Sequence, residues 1–319
     1  MTFARLAERR IKTWIIFRVS GFPVSSQSTL GPRRCLALFS APANVVDSLK
    51  VGALWMHLPW NHTQDIAKLF KDGRVTDFSI RDKMVKSLDA AKDLETVAKK
   101  RGIPITEPFT GLGLGPVVVI GPTLAYYESL LPDFRCVPAA RQLSTAGGFI
   151  QKMVEAVKSV AESWDIETLS DSCETAAENN SSTILAVKAA EGKWWFLTAD
   201  AGEPALNQAL DYLTAKGFPL SNFNFVQIPH HGSEHNVGPT LLDRMLGPKL
   251  KVDAKTKTAF VSAAKEAPKH PNKKVTNAFR RRGAYPYGTN GYPIYHFTDS
   301  PARGWGDAPV LPIYTEVEE

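Results

Sequence analysis

The sequence predicts an α/β fold, and three observations carry that prediction. Short apolar runs of strand length alternate with helix-period segments through the second half of the chain. Gly and Pro stand at the ends of those segments, where helices stop and strands turn. A length of 319 residues, with 44% hydrophobic and 22% charged side chains, is ordinary for a soluble globular protein of one large domain or two modest ones.

Residues 1–40 show no clean period and hold seven basic side chains (Arg5, Arg9, Arg10, Lys12, Arg18, Arg33, Arg34) against Glu8. That imbalance equals the whole net charge of +6, so the remaining residues are electrically neutral. The stretch reads as a basic arm outside the fold, followed by one domain over 41–319. Residues 49–58 predict a strand ending before Pro59, and 82–101 a helix with Val85, Leu88, Leu94 and Val97 inward and Gly102 as its stop. Gly111–Gly115 lacks the spacing of a nucleotide loop and precedes the strand-like Val117–Ile120 run, so it reads as a turn.

A short helix is expected around Phe149–Ser163. After it, no Lys or Arg occurs between Ser159 and Val187, while Glu162, Asp165, Glu167, Asp171, Glu174 and Glu178 crowd together. This predicts a solvated, flexible acidic connection near 162–180. Strands follow at 182–187 and 194–198, then a helix from Pro204 to Lys216 with Leu206, Ala209, Leu210 and Leu213 buried. Strand 223–228, helix 239–246, strand 257–263 and helix 272–282 complete the alternation.

Several function classes lose support at once. The longest apolar runs are far below the roughly 18 residues a bilayer span needs, so no membrane role is expected. Cys35, Cys136 and Cys173 are too widely spaced for a zinc knuckle and odd in number for a disulfide framework; free thiols in the cytoplasm fit them best.

Chemistry concentrates at strand ends. Asp200 follows one strand, His230 and His231 the next, and His270, before Pro271, the third. If these strands are parallel, all four side chains meet at one rim, where ligands of open α/β sheets bind. Carboxylate oxygen and imidazole nitrogen are zinc donors, and two ions about 3.5–4 Å apart generate hydroxide. Gly232 permits close backbone approach, and Ser233 is placed to orient a histidine. His57 and His62, in Met-His-Leu-Pro-Trp-Asn-His, are expected to pack on Trp55 and Trp60.

Taken together, Asn179-Asn180-Ser181-Ser182, Phe196 to Ala201, Ile228 to Ser233, His270-Pro271 and the Gly283–Gly291 region resemble the metallo-β-lactamase fold. The likeness is nearest to the soluble domain of DNA-uptake competence proteins. It covers 179–295, and from 49 onward Val118 to Pro122 also suits it. The resemblance implies an αββα sandwich and a hydrolase of esters or phosphodiesters with two zinc ions. Asp200 is similar to the carboxylate that bridges the metals and His230 or His231 to the late histidine ligand. Of the two, His231 is carried with Asp200 as catalytic. His270 and Ser233 would face a small-molecule or phosphodiester substrate. The family's His-x-His-x-Asp-His loop has no counterpart here, so the sandwich is expected to be incomplete at its N-terminus and the chain truncated, weakly active or inactive. The competing reading is a non-catalytic nucleic-acid-binding protein using the arm and Arg280–Arg282. A third makes the arm a cleaved transit peptide.

Overall fold

The computed structural model describes residues 51–70, 73–137, 159–265, 270–299, 304 and 306–318, with the backbone of Ile15–Val19 and Thr29–Leu30. The fold is α/β, as expected, and the chain divides into two compact units. The first comprises Met1–Thr110, Pro122–Gly148 and Ala176–Thr183; the second comprises Gly111–Gly121, Phe149–Thr175 and Ile184–Glu319.

In the first unit, strands β1 (Ile15–Val19), β2 (Thr29–Leu30), β3 (Val51–Trp55) and β4 (Ile105–Thr106) form a sheet of order β2-β1-β3-β4. Strand β1 lies within the predicted arm and pairs antiparallel with β3; the rest of 1–40 lies outside the described residues. The predicted helix 82–101 is two helices, α1 (Asp77–Ser87) and α2 (Asp89–Lys100), separated at Leu88. Local chemistry explains both starts. Thr76 and Ser79 form a reciprocal capping box ahead of α1. Helix α2 has no side-chain cap, and its first residue, Asp89, sets a carboxylate in the first turn that accepts the Ala90 N–H at 2.7 Å. Leu54, Met56, Leu58 and Trp60 bury against Leu88, Ala91, Leu94 and Ala98 of this pair. Helices α3 (Leu124–Leu130) and α4 (Ala177–Asn180) also belong to this unit.

The second unit is built on seven strands: β5 (Gly113–Leu114), β6 (Val117–Gly121), β8 (Ile184–Ala190), β9 (Lys193–Leu197), β10 (Phe223–Gln227), β11 (Lys257–Val261) and β12 (Ala284–Gly288). Their order is β12-β11-β10-β9-β8-β6-β5. Strands β9 to β12 are mutually parallel, so α5 (Glu203–Ala215), α6 (Pro239–Leu246) and α7 (Lys273–Arg281) serve as crossovers. Helix α6 packs on both α5 and α7, making one helical layer. The stripe Leu206, Ala209, Leu210 and Leu213 is buried as its period predicts.

The acidic connection differs from expectation. Of the predicted helix around Phe149–Ser163, residues 149–158 lie outside the described residues, and β7 (Ser159–Ala161) is a strand paired with β13 (Glu316–Glu318). The segment after it is irregular, with Asp165, Asp171 and Glu174 exposed, but it is anchored at Glu162, Glu167 and Glu178. Glu162 and Arg281 form a fully buried ion pair at 2.9 Å. Arg282 reaches Glu167 at 2.6 Å and Asp243 at 2.6 Å. The Asp171 carboxylate accepts from the Thr240 N–H and hydroxyl at 2.9 and 2.7 Å, capping α6. Burial alone would raise the Glu162 pKa, yet hydrogen bonds from Thr168, Asn277 and Arg281 outweigh it and hold it below the usual range. Seen by composition the acids have no local cations, but Glu162 and Glu167 find theirs 119 and 115 residues later.

Candidate functional site at the sheet rim

Because β9, β10 and β11 run parallel, their C-terminal ends open on one rim, and the predicted residues follow them. Gln227 ties the first two ends together. Its carbonyl accepts the Thr198 hydroxyl at 2.9 Å and its side-chain oxygen accepts the Ala199 N–H at 3.1 Å. The chain then reverses through Ala199 at φ +52° into Asp200, whose side chain is fully buried.

After β10, His230, His231 and Gly232 take φ of +42°, +62° and +76° in succession. Two non-glycine residues in the left-handed region cost on the order of 1–3 kcal/mol each, so the surroundings must hold the turn. The His230 N–H donates to the Ala199 carbonyl at 3.0 Å, and the Asn272 N–H donates to the Gly232 carbonyl at 3.0 Å. The second bond draws His270-Pro271-Asn272 against the turn. A Cβ on Gly232 would sit 2.8 Å from Pro271 Cβ and 3.2 Å from Val261 Cγ2, so only glycine fits there. The ring of His231 lies 5.8 Å from that of His230 and 6.2 Å from that of His270.

The orienting groups are not those the sequence suggested. Ser233 Oγ accepts from the His235 N–H at 3.3 Å. His231 Nδ1 meets the Ser262 carbonyl at 2.7 Å, and His230 Nδ1 meets Asn236 Oδ1 at 2.9 Å. Asn236, fully buried, also donates to the carbonyls of Asp200 and Ala201 at 2.9 and 3.2 Å. Asn236 was missed because a single Asn in a loop carries no periodic signal. Its place four residues beyond a glycine turn was the one hint.

The donor types at the rim suit zinc. Among the described residues no group of three or more His, Cys, Asp or Glu side chains is gathered to hold a metal ion, and a zinc site takes three or four protein ligands.

The first unit holds His57 and His62, whose ring contacts are with Phe109 and Tyr127 where Trp55 and Trp60 were expected. His57 stacks on Tyr127 at 4.5 Å and lies against Phe109 at 4.9 Å. Its Nε2 meets Thr183 Oγ1 at 3.2 Å, and its Nδ1 is buried without a hydrogen-bond partner among the described residues. Burial, with His62 nearby, pushes its pKa down to about 3. His62 is clamped between carboxylates, Nε2 to Glu107 at 2.9 Å and Nδ1 to Glu128 at 3.0 Å. The Glu107 hydrogen bond leads the causes that raise its pKa.

Cys136 and Cys173 are free thiols, and Cys35 lies outside the described residues. Burial pushes the Cys136 thiol up to about 11 and Cys173 up to about 12, which is the inert end of thiol chemistry. Among the described residues no helix is long and apolar enough to cross a membrane. Arg281 and Arg282 are buried on internal carboxylates and Arg280 pairs with Asp253 at 2.7 Å, so this cluster does not offer a free basic patch. Comparison of the chain with protein-family models, curated proteins and solved structures finds no match.

Proposed function

We propose that the chain is a metallo-β-lactamase-type hydrolase scaffold for esters or phosphodiesters, with Asp200, His230 and His231 as the donors at its rim and His270 facing substrate. As gathered here the donors fall short of a zinc pair, so the chain by itself holds zinc weakly and turns over slowly or not at all. One observation supports the reading above the rest. Four mutually parallel strands put a buried aspartate and a strained His-His-Gly turn at adjacent strand ends, the place where open α/β sheets bind ligands.

No catalytic step through a metal follows from that donor set. What the residues supply is a carboxyl oxygen held out of water and imidazoles of fixed orientation. The nucleic-acid alternative loses Arg281 and Arg282 to internal ion pairs and would rest on residues 1–40 alone.

The test is zinc titration by calorimetry, together with hydrolysis of bis(4-nitrophenyl) phosphate, on the full chain and on Asp200→Asn and His231→Gln. Weak zinc binding that both substitutions abolish supports the reading. Binding and turnover that neither substitution changes would overturn it. Two tightly held ions with ordinary enzymatic turnover would overturn the claim of a deficient site.

A further inference from the structure

We infer that Asn236 is a positioning residue that fixes the proton of His230, so that His230 and His231 both present Nε2 as a lone-pair nitrogen. The argument starts from the amide. Asn236 Nδ2 lies 2.9 Å from the Asp200 carbonyl and 3.2 Å from the Ala201 carbonyl. Exchanging its oxygen and nitrogen would set a carbonyl-type oxygen against two others, with no proton between them. The amide orientation is therefore forced by its surroundings.

With both N–H groups directed at those carbonyls, Asn236 offers His230 only an acceptor, Oδ1, at 2.9 Å from Nδ1. An acceptor facing a ring nitrogen requires the proton on that nitrogen. Neutral His230 is thus the Nδ1–H tautomer, and its lone pair is on Nε2. His231 reaches the same state by a separate route. Its Nδ1 lies 2.7 Å from the Ser262 carbonyl, which can only accept. Two adjacent imidazoles, 5.8 Å apart between ring centres, are set alike by one side chain and one backbone carbonyl. An imidazole fixed in this way through its other nitrogen is the form that binds a cation or takes up a proton through Nε2. Asn236 is entirely buried, so water does not compete for the interaction.

The functional meaning of the inference rests on the hydrolase reading, but the proton positions do not. The experiment is two-dimensional NMR correlation of ring nitrogens and carbons in histidine-labelled full-length chain, at about pH 8, above the ordinary imidazole pKa of about 6.5. Wild type is expected to show protonated Nδ1 and unprotonated Nε2 for both His230 and His231. Asn236→Ala should turn His230 into a mixture of tautomers, while His231 keeps its signature and serves as the control for an intact turn. A wild-type His230 carrying its proton on Nε2 overturns the inference, whether or not the variant folds. So does an Asn236→Ala spectrum identical to wild type. Zinc is then added to the same wild-type sample. Loss or shift of the two Nε2 resonances supports the hydrolase reading, whereas no response counts against that reading and leaves the tautomer assignment standing.

Discussion

Two pairs of histidines, one pair in each unit, have opposite kinds of surroundings. In the first, His62 is flanked by the Glu107 and Glu128 carboxylates and is favoured as a cation, while His57 is sealed among Tyr127, Phe109 and Thr183 and is held neutral. In the second, the Nδ1 atoms of His230 and His231 face a side-chain amide oxygen and a backbone carbonyl, neutral acceptors that favour a proton on that nitrogen. What surrounds the ring decides what it can do. Charge partners turn imidazole into a strut whose strength depends on pH, whereas neutral acceptors leave a nitrogen lone pair in a set direction.

The sharpest way to break the comparison is acid. His57 has its folded pKa depressed from the ordinary 6.5 to about 3, so the unfolded chain binds the proton first as pH falls. The stability it contributes is fully present above 6.5 and is lost as pH drops from there toward about 3. At about 1.36 kcal/mol per pKa unit the loss is on the order of several kcal/mol. His57→Phe keeps an aromatic ring against Tyr127 and removes the titration. Urea unfolding at pH 7 and pH 4 should show the variant losing less stability than wild type by that amount. Equal losses would mean that His57 is not held neutral.

The turn in the second unit offers the next largest effect. Gly232→Ala adds a Cβ 2.8 Å from Pro271 Cβ at a backbone φ of +76°, combining a left-handed penalty with overpacking. The expected cost is about 3 kcal/mol in urea melts. Gly73, in the first unit, has nothing within 4 Å and no positive φ. Gly73→Ala should therefore stay within about 0.5 kcal/mol of wild type.

His62→Gln should cost about 2 kcal/mol near pH 6, since it removes two charge-assisted hydrogen bonds, one of them to the half-exposed Glu128. The sign with pH is opposite to that of His57. A raised folded pKa makes the contribution complete below the unfolded value of 6.5 and loses it as pH rises through the folded pKa. The gap between variant and wild type should accordingly narrow on the alkaline side. A gap that widens with pH would rule out the clamp.

Much of the second unit was legible in the sequence. Strand and helix periods located β8 to β11 and α5 to α7 to within a few residues, because each buries one face and so repeats its pattern locally. Asp200, His230 and His231 could be placed at one rim from the strand order alone. What could not be read were the partners chosen by tertiary proximity. Glu107 and Glu128 lie 45 and 66 residues from His62, Ser262 lies 31 from His231, and Arg281 lies 119 from Glu162. None of these pairs leaves a local signature. The anchors of the acidic stretch were hidden for that reason, and the helix at 82–101 looked continuous because Leu88 keeps the apolar period through the break.

The smallest expected effect separates two accounts of His57. If the ring is neutral because it is buried among aromatics, the Thr183 hydroxyl at 3.2 Å is a modest support. Thr183→Val then removes one hydrogen bond and leaves a nearly isosteric side chain, costing about 1 kcal/mol. The His57 pKa should stay depressed, because burial, its leading cause, is untouched. If the hydroxyl instead dictates the charge state of the ring, the pKa should move back toward 6.5 and the acid-induced loss of stability should shrink with it. Histidine titration by NMR reads the first quantity and urea melts at two pH values read the second. Because both variants keep the Tyr127 stack, the comparison isolates a hydroxyl group from its apolar surroundings, and burial is expected to dominate.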